Sequence, residues 1–432
     1  MNMSDDRDYD AAIVGASLAG CTAAILLARA GARVALVEQR PDPAAYKRVC
    51  SHFIQSSALP TLERLGLVGP MEAAGALRAR ARIWSRWGWI EPPTASRVPA
   101  GINLRRELLD PMIRRMAGEM PGVELMLGRT ADALVREGGV VRGVEVREKS
   151  GATTRLRARL TVGADGRDSR VAGMAGVRTR TKPHERIAYG AYFEGPSPAG
   201  APDGSAWFLD PDWAAAFPTD SGLTFYAAMP TKERLPEFRR DPTEALTAMI
   251  AALPDAPPIL SSRILDSPVG RIDMTNVIHT PTAPGLALVG DAALATDPLW
   301  GVGCGWAFQS SEWLADSVAP ALAAPGRAVG AESLEQGLER YRRRHTRALR
   351  GHSFLIHDYA GGRKLSPVEQ LLFSAGARDE RLGPTFEAFG TRNIGPARAM
   401  ATMLPRAALV NARHALSQRR RQPSRRVDLE RA

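Results

Sequence analysis

Three short segments, far apart in the chain, combine glycine with residues suited to holding phosphate and sugar. They are Gly15-Ala16-Ser17-Leu18-Ala19-Gly20, Gly163-Ala164-Asp165-Gly166 and Gly290-Asp291-Ala292-Ala293; the last is followed by Pro298, Gly301, Gly303 and Gly305. Glycine leaves backbone N–H groups uncovered, and a carboxylate accepts hydrogen bonds from hydroxyls. Each segment alone is a common turn. Together, in this order, they suit successive parts of one long dinucleotide.

The elements around the first segment support that reading. Residues 9–14 are apolar enough for a buried parallel strand, and 18–30, rich in Ala and Leu, predict a helix that Gly31 ends. Residues 33–37 predict a second strand, with Glu38 and Gln39 at its end. Glu38 follows Gly20 by 18 residues, near the ~20-residue spacing of a carboxylate that takes a ribose hydroxyl. The helix N-terminus would hold a pyrophosphate through free N–H groups and the helix dipole. Ser17 stands where the usual pattern has a second glycine, and its hydroxyl could donate to a phosphate oxygen. An acidic Glu38 points to FAD or NAD and away from the 2′-phosphate of NADP at this position. The alternative is an ordinary α/β turn that binds nothing.

The chain has 432 residues, 44% of them hydrophobic and 24% charged, enough for two or three domains. No apolar run reaches the ~18 residues of a membrane span, and the polar start, 1–10, does not read as a signal peptide. Net charge is +11, which raises nucleic acid or an anionic membrane as partners. The excess is arginine spread along the sequence, since only five of the 57 basic residues are lysine. The dense cluster is terminal, Arg419-Arg420-Arg421 with Arg425-Arg426 beyond Pro423, and reads as a solvated tail or a docking patch; no nucleic-acid partner is expected. Cys21, Cys50 and Cys304 lack metal-type spacing and cannot all pair, and the histidines have no zinc spacing. A reducing, cytoplasmic setting and no metal are expected.

Along the chain, 56–67 predicts a helix ending at Gly69-Pro70, 80–90 a strand carrying Trp84, Trp87 and Trp89, and 104–120 a helix with Arg105 and Arg106 in its first turn. Residues 123–127, 140–148 and 153–162 read as an antiparallel meander with a turn at Gly138-Gly139. From 178 to 270 the pattern becomes that of a separate antiparallel sheet, with strands at 187–194, 205–209 and 223–229 and a helix in 242–255. Residues 286–289 return to an apolar strand, 303–322 predict a helix, and the remainder from 331 is largely helical.

On these motifs the chain resembles the FAD-dependent monooxygenases of the p-hydroxybenzoate hydroxylase fold, a superfamily that also holds geranylgeranyl reductases and flavin halogenases. The resemblance covers residues 9–322. It implies an α/β fold: a Rossmann-like, glutathione reductase-like FAD-binding domain in two parts, 1–177 and 271–330, an inserted antiparallel substrate sheet, 178–270, and a C-terminal helical region, 331–432, with its basic tail. By resemblance, Glu38 takes the adenosine ribose, and Arg106, in an Arg-x-x-Leu-Asp pattern with Leu109 and Asp110, faces the pyrophosphate; Arg105 is the substitute. Asp165 and Gly166 contribute to FAD and to transient NAD(P)H contact, and Asp291 binds the ribityl chain. Pro298 and the loop Gly301, Gly303, Cys304 and Gly305 lie by the flavin ring. The family pattern has Val-Arg where this chain has Val171-Ala172, so either Arg170 serves instead or the nicotinamide contact is altered.

The resemblance implies an FAD enzyme that NAD(P)H reduces, using molecular oxygen to hydroxylate or epoxidise a hydrophobic or aromatic small molecule. The runner-up is an alkene-saturating reductase; a halogenase or a non-catalytic flavin-fold protein ranks lower. His52, Trp300 and Cys304 are the candidate catalytic side chains: His52 as base, ring contact or plain structural residue, Trp300 as pocket wall or packing, Cys304 as a thiol at a helix start or a small residue near the ring. Trp87-Gly88-Trp89-Ile90-Glu91-Pro92 resembles the halogenase Trp-x-Trp-x-Ile-Pro signature, with the wrong spacing, and reads as an aromatic substrate-sheet strand. Oligomeric state is left open.

Overall fold

The computed structural model describes residues 6–48, 50–323 and 327–421. The chain opens with β1 (Asp6–Val14), α1 (Leu18–Arg29) and β2 (Val34–Glu38). Eleven of the twelve α1 residues are buried, because the helix is apolar on every side and lies between the sheet and two further helices. A short hairpin follows, β3 (Ala81–Ser85) and β4 (Gly88–Ile90), then α2 (Arg106–Gly118). Next come β5 (Val123–Leu127), β6 (Arg129–Glu137), β7 (Val140–Glu148) and β8 (Thr153–Gly163).

The inserted region supplies β9 (Ala188–Glu194), β10 (Gly204–Phe208), β11 (Trp213–Pro218), β12 (Leu223–Met229) and α3 (Pro242–Ala251). The chain returns through β13 (Leu286–Leu288) into α4 (Gly303–Ala323) and the long α5 (Arg327–Ala360), and ends in α6 (Pro367–Gly376), α7 (Gly383–Gly390) and α8 (Pro396–Arg421). Arg419, Arg420 and Arg421 finish α8, while Pro423, Arg425 and Arg426 lie outside the described residues. No helix among the described residues is long and apolar enough to cross a membrane.

Two sheets organise the molecule. In the first, β13, β8, β1, β2 and β5 lie side by side and parallel, so the strands entering the three glycine segments end together. Here the structure corrects the sequence reading: 123–127 joins this parallel sheet, and the antiparallel meander is β6, β7 and β8. Its first hairpin turns at Gly138 and Gly139, both at positive φ, as a two-residue turn requires.

The second sheet runs β9-β12-β11-β10-β3-β4. Strand β10 pairs in parallel with β3, which places Trp207 beside Trp84. The sheet therefore takes its last two strands from residues 81–90, outside the 178–270 stretch. What the sequence presents as one Trp-rich strand is a hairpin. Strand β11, unmarked in the sequence, carries Ala214-Ala215-Ala216, poor β-formers that the neighbouring strands nevertheless pair on both edges. A second correction concerns Gly69-Pro70, which lies inside a short helix, Val68–Ala73, with the proline in the first turn.

One face of the second sheet packs Trp207 and Tyr226 on Phe238, Leu246 and Ile250. The other packs Phe208, Trp213 and Phe217 toward Trp300, Phe373 and Phe386. At ~1.5–3 kcal/mol for each fully buried large apolar side chain, both faces are strongly held.

Buried histidines set an acid limit on this fold. Burial depresses His345 and His357 to about 4 and His352 to about 3. The unfolded chain takes up these protons below about pH 6.5, the native chain only near pH 4. Stability is therefore fully present above pH 6.5 and falls as pH drops from 6.5 to 4. At ~1.4 kcal/mol per tenfold change in proton affinity, His345 alone costs roughly 3 kcal/mol by pH 4. Urea midpoints at pH 7.5 and 5.0 should show the drop, and His345→Phe should shrink it. Equal midpoints at the two pH values would contradict this assignment.

Candidate functional site

The carboxyl ends of β1, β8 and β13 converge on one cleft, the place where open α/β sheets bind ligands. The Ala164 N–H donates to the Val14 carbonyl at 2.8 Å, and the Val289 N–H to that of Gly163 at 3.0 Å. Gly15 has φ +105°, and a Cβ there would stand 2.4 Å from the Ala164 carbonyl oxygen; one on Gly20 would stand 1.8 Å from that of Gly15. The two segments are packed backbone to backbone, with no space for a side chain. Ser17 caps α1 in extended geometry without a side-chain hydrogen bond to it. Among the described residues, the N–H groups of Leu18, Ala19 and Gly20 at the helix start have no side-chain acceptor, as an incoming phosphate requires.

Ser17 has a different task. Its hydroxyl accepts from Arg106 Nη2 at 2.9 Å. Arg106 is 3% exposed and doubly bonded to Asp110, at 2.8 and 3.0 Å. One turn beyond Asp110, buried Arg114 holds the Ala16 carbonyl at 2.9 Å. Arg106, Asp110 and Arg114, spaced by four, thus line the face of α2 that braces the first glycine turn. The i, i+4, i+8 charge pattern is visible in the sequence, but only the fold shows that the three act as a set. Glu38, buried, accepts from the Ala16 N–H at 2.9 Å and the Arg40 N–H at 3.1 Å. Gln39 beside it is exposed.

Other expected residues lie elsewhere or are already engaged. Arg105 turns toward the second sheet, where its Nε donates to buried Asp220 at 2.7 Å. Asp165 caps the short helix Arg170–Ala175, accepting from Ser169 Oγ and the Val171 N–H. Gly166 beside it has φ +86° and open space. Arg170 points out to Asp132, 3.6 Å away.

On the third strand end, the Gly290 N–H donates to Ser310 at 2.9 Å. Asp291 pairs with Lys47 Nζ at 2.9 Å. Burial works against the Asp291 charge, but Lys47 and Arg167 outweigh it and hold the carboxyl below its usual range. Lys47 comes from the loop after β2 and carries no sequence signal. Pro298 starts a short turn, Pro298–Trp300, Gly301 follows in left-handed geometry, and Gly303 and Cys304 open α4.

The structure places Cys50 Sγ 3.6 Å from Cys304 Sγ, with Arg106 Nη1 at 3.8 and 3.7 Å from the two sulfurs. Their mutual contact, in which either sulfur can donate, splits the two thiols: it draws Cys50 well below its ordinary range against the effect of burial, and with burial pushes Cys304 well above. Cys21 is fully buried packing.

Next to this pair, His52 is 2% exposed and sits at φ +63°. Its Nδ1 accepts from the Arg106 N–H at 3.0 Å, which places the ring proton on Nε2, facing Tyr192 Oη. Burial pushes His52 down to about 4. This neutral imidazole ties the arginine backbone to the second sheet.

Between the second sheet, the turn at 299–301 and α7 lies a cavity of about 110 Å³. Phe53, Phe208, Trp213, Phe217, Trp300 and Phe386 form its walls, and Gly301 opens onto it. Gln55 Nε2 donates to the Trp300 carbonyl at 2.8 Å and fixes that wall. Trp84 and Trp89 are absent from the lining and pack on the sheet's far face, so the pocket is aromatic for a reason other than the Trp-rich segment. The charged lining residues Arg80, Glu387 and Glu91 are in ion pairs, Arg80 with Glu387 and Glu91 with Arg82.

The residues present fit FAD. The glycine cradle and open helix start suit its pyrophosphate, and buried Glu38 and Asp291 are carboxylates that would accept from its ribose and ribityl hydroxyls. Asp291→Ala should leave the far-ultraviolet circular dichroism unchanged and cut FAD retained after purification by roughly tenfold or more, the scale of a lost charge-assisted hydrogen bond. Unchanged FAD content would remove Asp291 from the site.

Several known proteins share this sequence pattern or this fold. Digeranylgeranylglycerophospholipid reductase 1 of Methanococcoides burtonii is 28% identical over 331 residues, 73% of this chain and 75% of that protein. The 6-methylpretetramide 4-monooxygenase of Streptomyces rimosus is 31% identical over 191 residues, 43% of each chain. The solved structure of the flavin-dependent brominase Bmp2 superposes with a TM-score of 0.75 at 17% identity, over 96% of this chain and all of that one, a likeness of fold alone. Residues 8–349 match the FAD binding domain model, and the chain belongs to that family as an FAD-dependent oxidoreductase.

Proposed function

We propose that this oxidoreductase saturates a carbon–carbon double bond in an apolar substrate. The observation that carries the reading is the Cys50–Cys304 pair at the start of α4, beside an apolar cavity whose charged groups are all in ion pairs. An oxygenase that keeps a peroxide next to a thiol pair exposes that pair to oxidation, and hydroxylating a phenol calls for a free base that this wall lacks. A reductase needs neither.

Bound and reduced FAD would supply a hydride, with NAD(P)H as the source of electrons. Cys304 would hold the accompanying proton, Trp300 and Phe208 would orient an apolar chain, and α7 would keep water out. The two parts of the FAD-binding unit, 1–177 and 271–330, would serve the cofactor, the second sheet and the helical region, 331–432, the substrate. The likeness to a reductase over 73% of this chain and 75% of that protein supports this assignment. A second reading, monooxygenation of a hydrophobic or aromatic compound with molecular oxygen, is favoured by the Streptomyces relative.

The test is single turnover of anaerobically reduced, FAD-loaded protein with a panel of isoprenoid alkenes, analysed by mass spectrometry. The expected product has gained two hydrogens without oxygen, and Cys304→Ala slows its formation at least ~10-fold. Product formed only in air and carrying a new oxygen atom would overturn the reductase reading in favour of the second.

A further inference from the structure

A second cavity, of about 540 Å³, opens on the far side of α4 from the glycine cleft. Its floor is Trp306 and Trp313 from α4, 5% and 9% exposed. Its rim is Arg343, Arg344 and Arg347 from the facing side of α5, and Arg392 from the link between α7 and α8.

The charges here do not balance. Arg343 shares Glu339 with Arg342, and Arg344 shares Asp316 with Arg64. Neither Arg347 nor Arg392 has a carboxylate partner among the described residues. Arg392 is the more costly case. Its Nη1 donates to the Phe389 carbonyl at 2.8 Å, but its buried Nε has no acceptor among the described residues. Burial alone, with no opposing carboxylate, pushes the guanidinium down to about 9. The chain holds it in left-handed geometry, φ +66°. A desolvated cation without an anion destabilises a fold unless an anion arrives.

We propose that this cavity binds an oxyanion-bearing ligand, a phosphate or diphosphate ester, with its charge on Arg347 and Arg392 and its attached group against Trp306 and Trp313. Guanidinium forks suit phosphate oxygens, and the volume lies in the range that admits a head group with several carbons. The site also adjoins the substrate cavity. Gly390 and Thr391 line the first cavity, Arg392 and Gly395 the second. The Trp300 ring, a wall of the first, lies 5.6 Å from the Arg392 guanidinium. An anion on Arg392 would therefore brace a segment that both cavities share.

The experiment uses the full chain loaded with FAD, so the glycine cleft is already filled, and it reads binding alone, so its outcome is separate from that of the turnover test. Inorganic pyrophosphate is titrated while tryptophan fluorescence and heat are followed. Saturable binding is expected, weakening with salt, and at least ~10-fold poorer in Arg347→Gln and in Arg392→Gln. Arg347 is exposed on its helix, so its variant keeps the test valid if Arg392→Gln fails to fold. In a second arm, co-sedimentation with vesicles of anionic phospholipid, competed by pyrophosphate and lost in the same variants, would identify a lipid head group as the source of the oxyanion. Its absence would leave a soluble ester. No pyrophosphate binding, or binding untouched by both variants, would overturn the proposal.

Discussion

The first and middle glycine segments touch through bare backbone, and the cleft depends on that contact. A Cβ on Gly15 would stand 2.4 Å from the Ala164 carbonyl oxygen, so any side chain there would pry apart the ends of β1 and β8. The strand ends stay in line because β1 pairs with β8 along its whole length and β8 in turn holds β13. Burial of α1 on all sides presses its open N-terminus against the same point. The cleft is thus a product of strand order and close packing, and the acidic and basic side chains are added to it.

Arg106 is the second organiser. It reaches Ser17 at the helix start, Asp110 on its own helix and both sulfurs of the thiol pair, while its N–H fixes His52 and, through it, Tyr192 of the second sheet. One buried cation therefore spans the first glycine turn, the thiol pair and the second sheet. Replacing it with a neutral residue would strand Asp110 in the core, which is why its worth cannot be separated into binding and folding parts.

The glycine segments and their flanking strands and helices are legible in the sequence because their signals are local: an apolar run, a turn glycine, a carboxylate at a set distance. The illegible parts depend on distant partners. Residues 123–127 look like a meander strand until β2 pairs with them. Strand β11 is alanine between two aromatic strands and gains its structure from them. Cys50 and Cys304 are separated by over half the chain, and only the fold shows that they meet. Lys47, from a loop without pattern, takes Asp291. Arg105 and Arg106 are neighbours of one type, and the helix start decides which faces the cleft and which faces Asp220.

If the strand ends hold a whole dinucleotide, from adenosine to ring, both halves of FAD must contribute to its binding. The direct measurement is titration of flavin-free protein with FAD and, separately, with FMN, which lacks the adenosine half. One FAD per chain and far weaker FMN binding are expected, because the glycine cradle and Glu38 would grip the part that FMN lacks. Equal affinity for the two, or no binding of FAD, would contradict a cleft built for the dinucleotide.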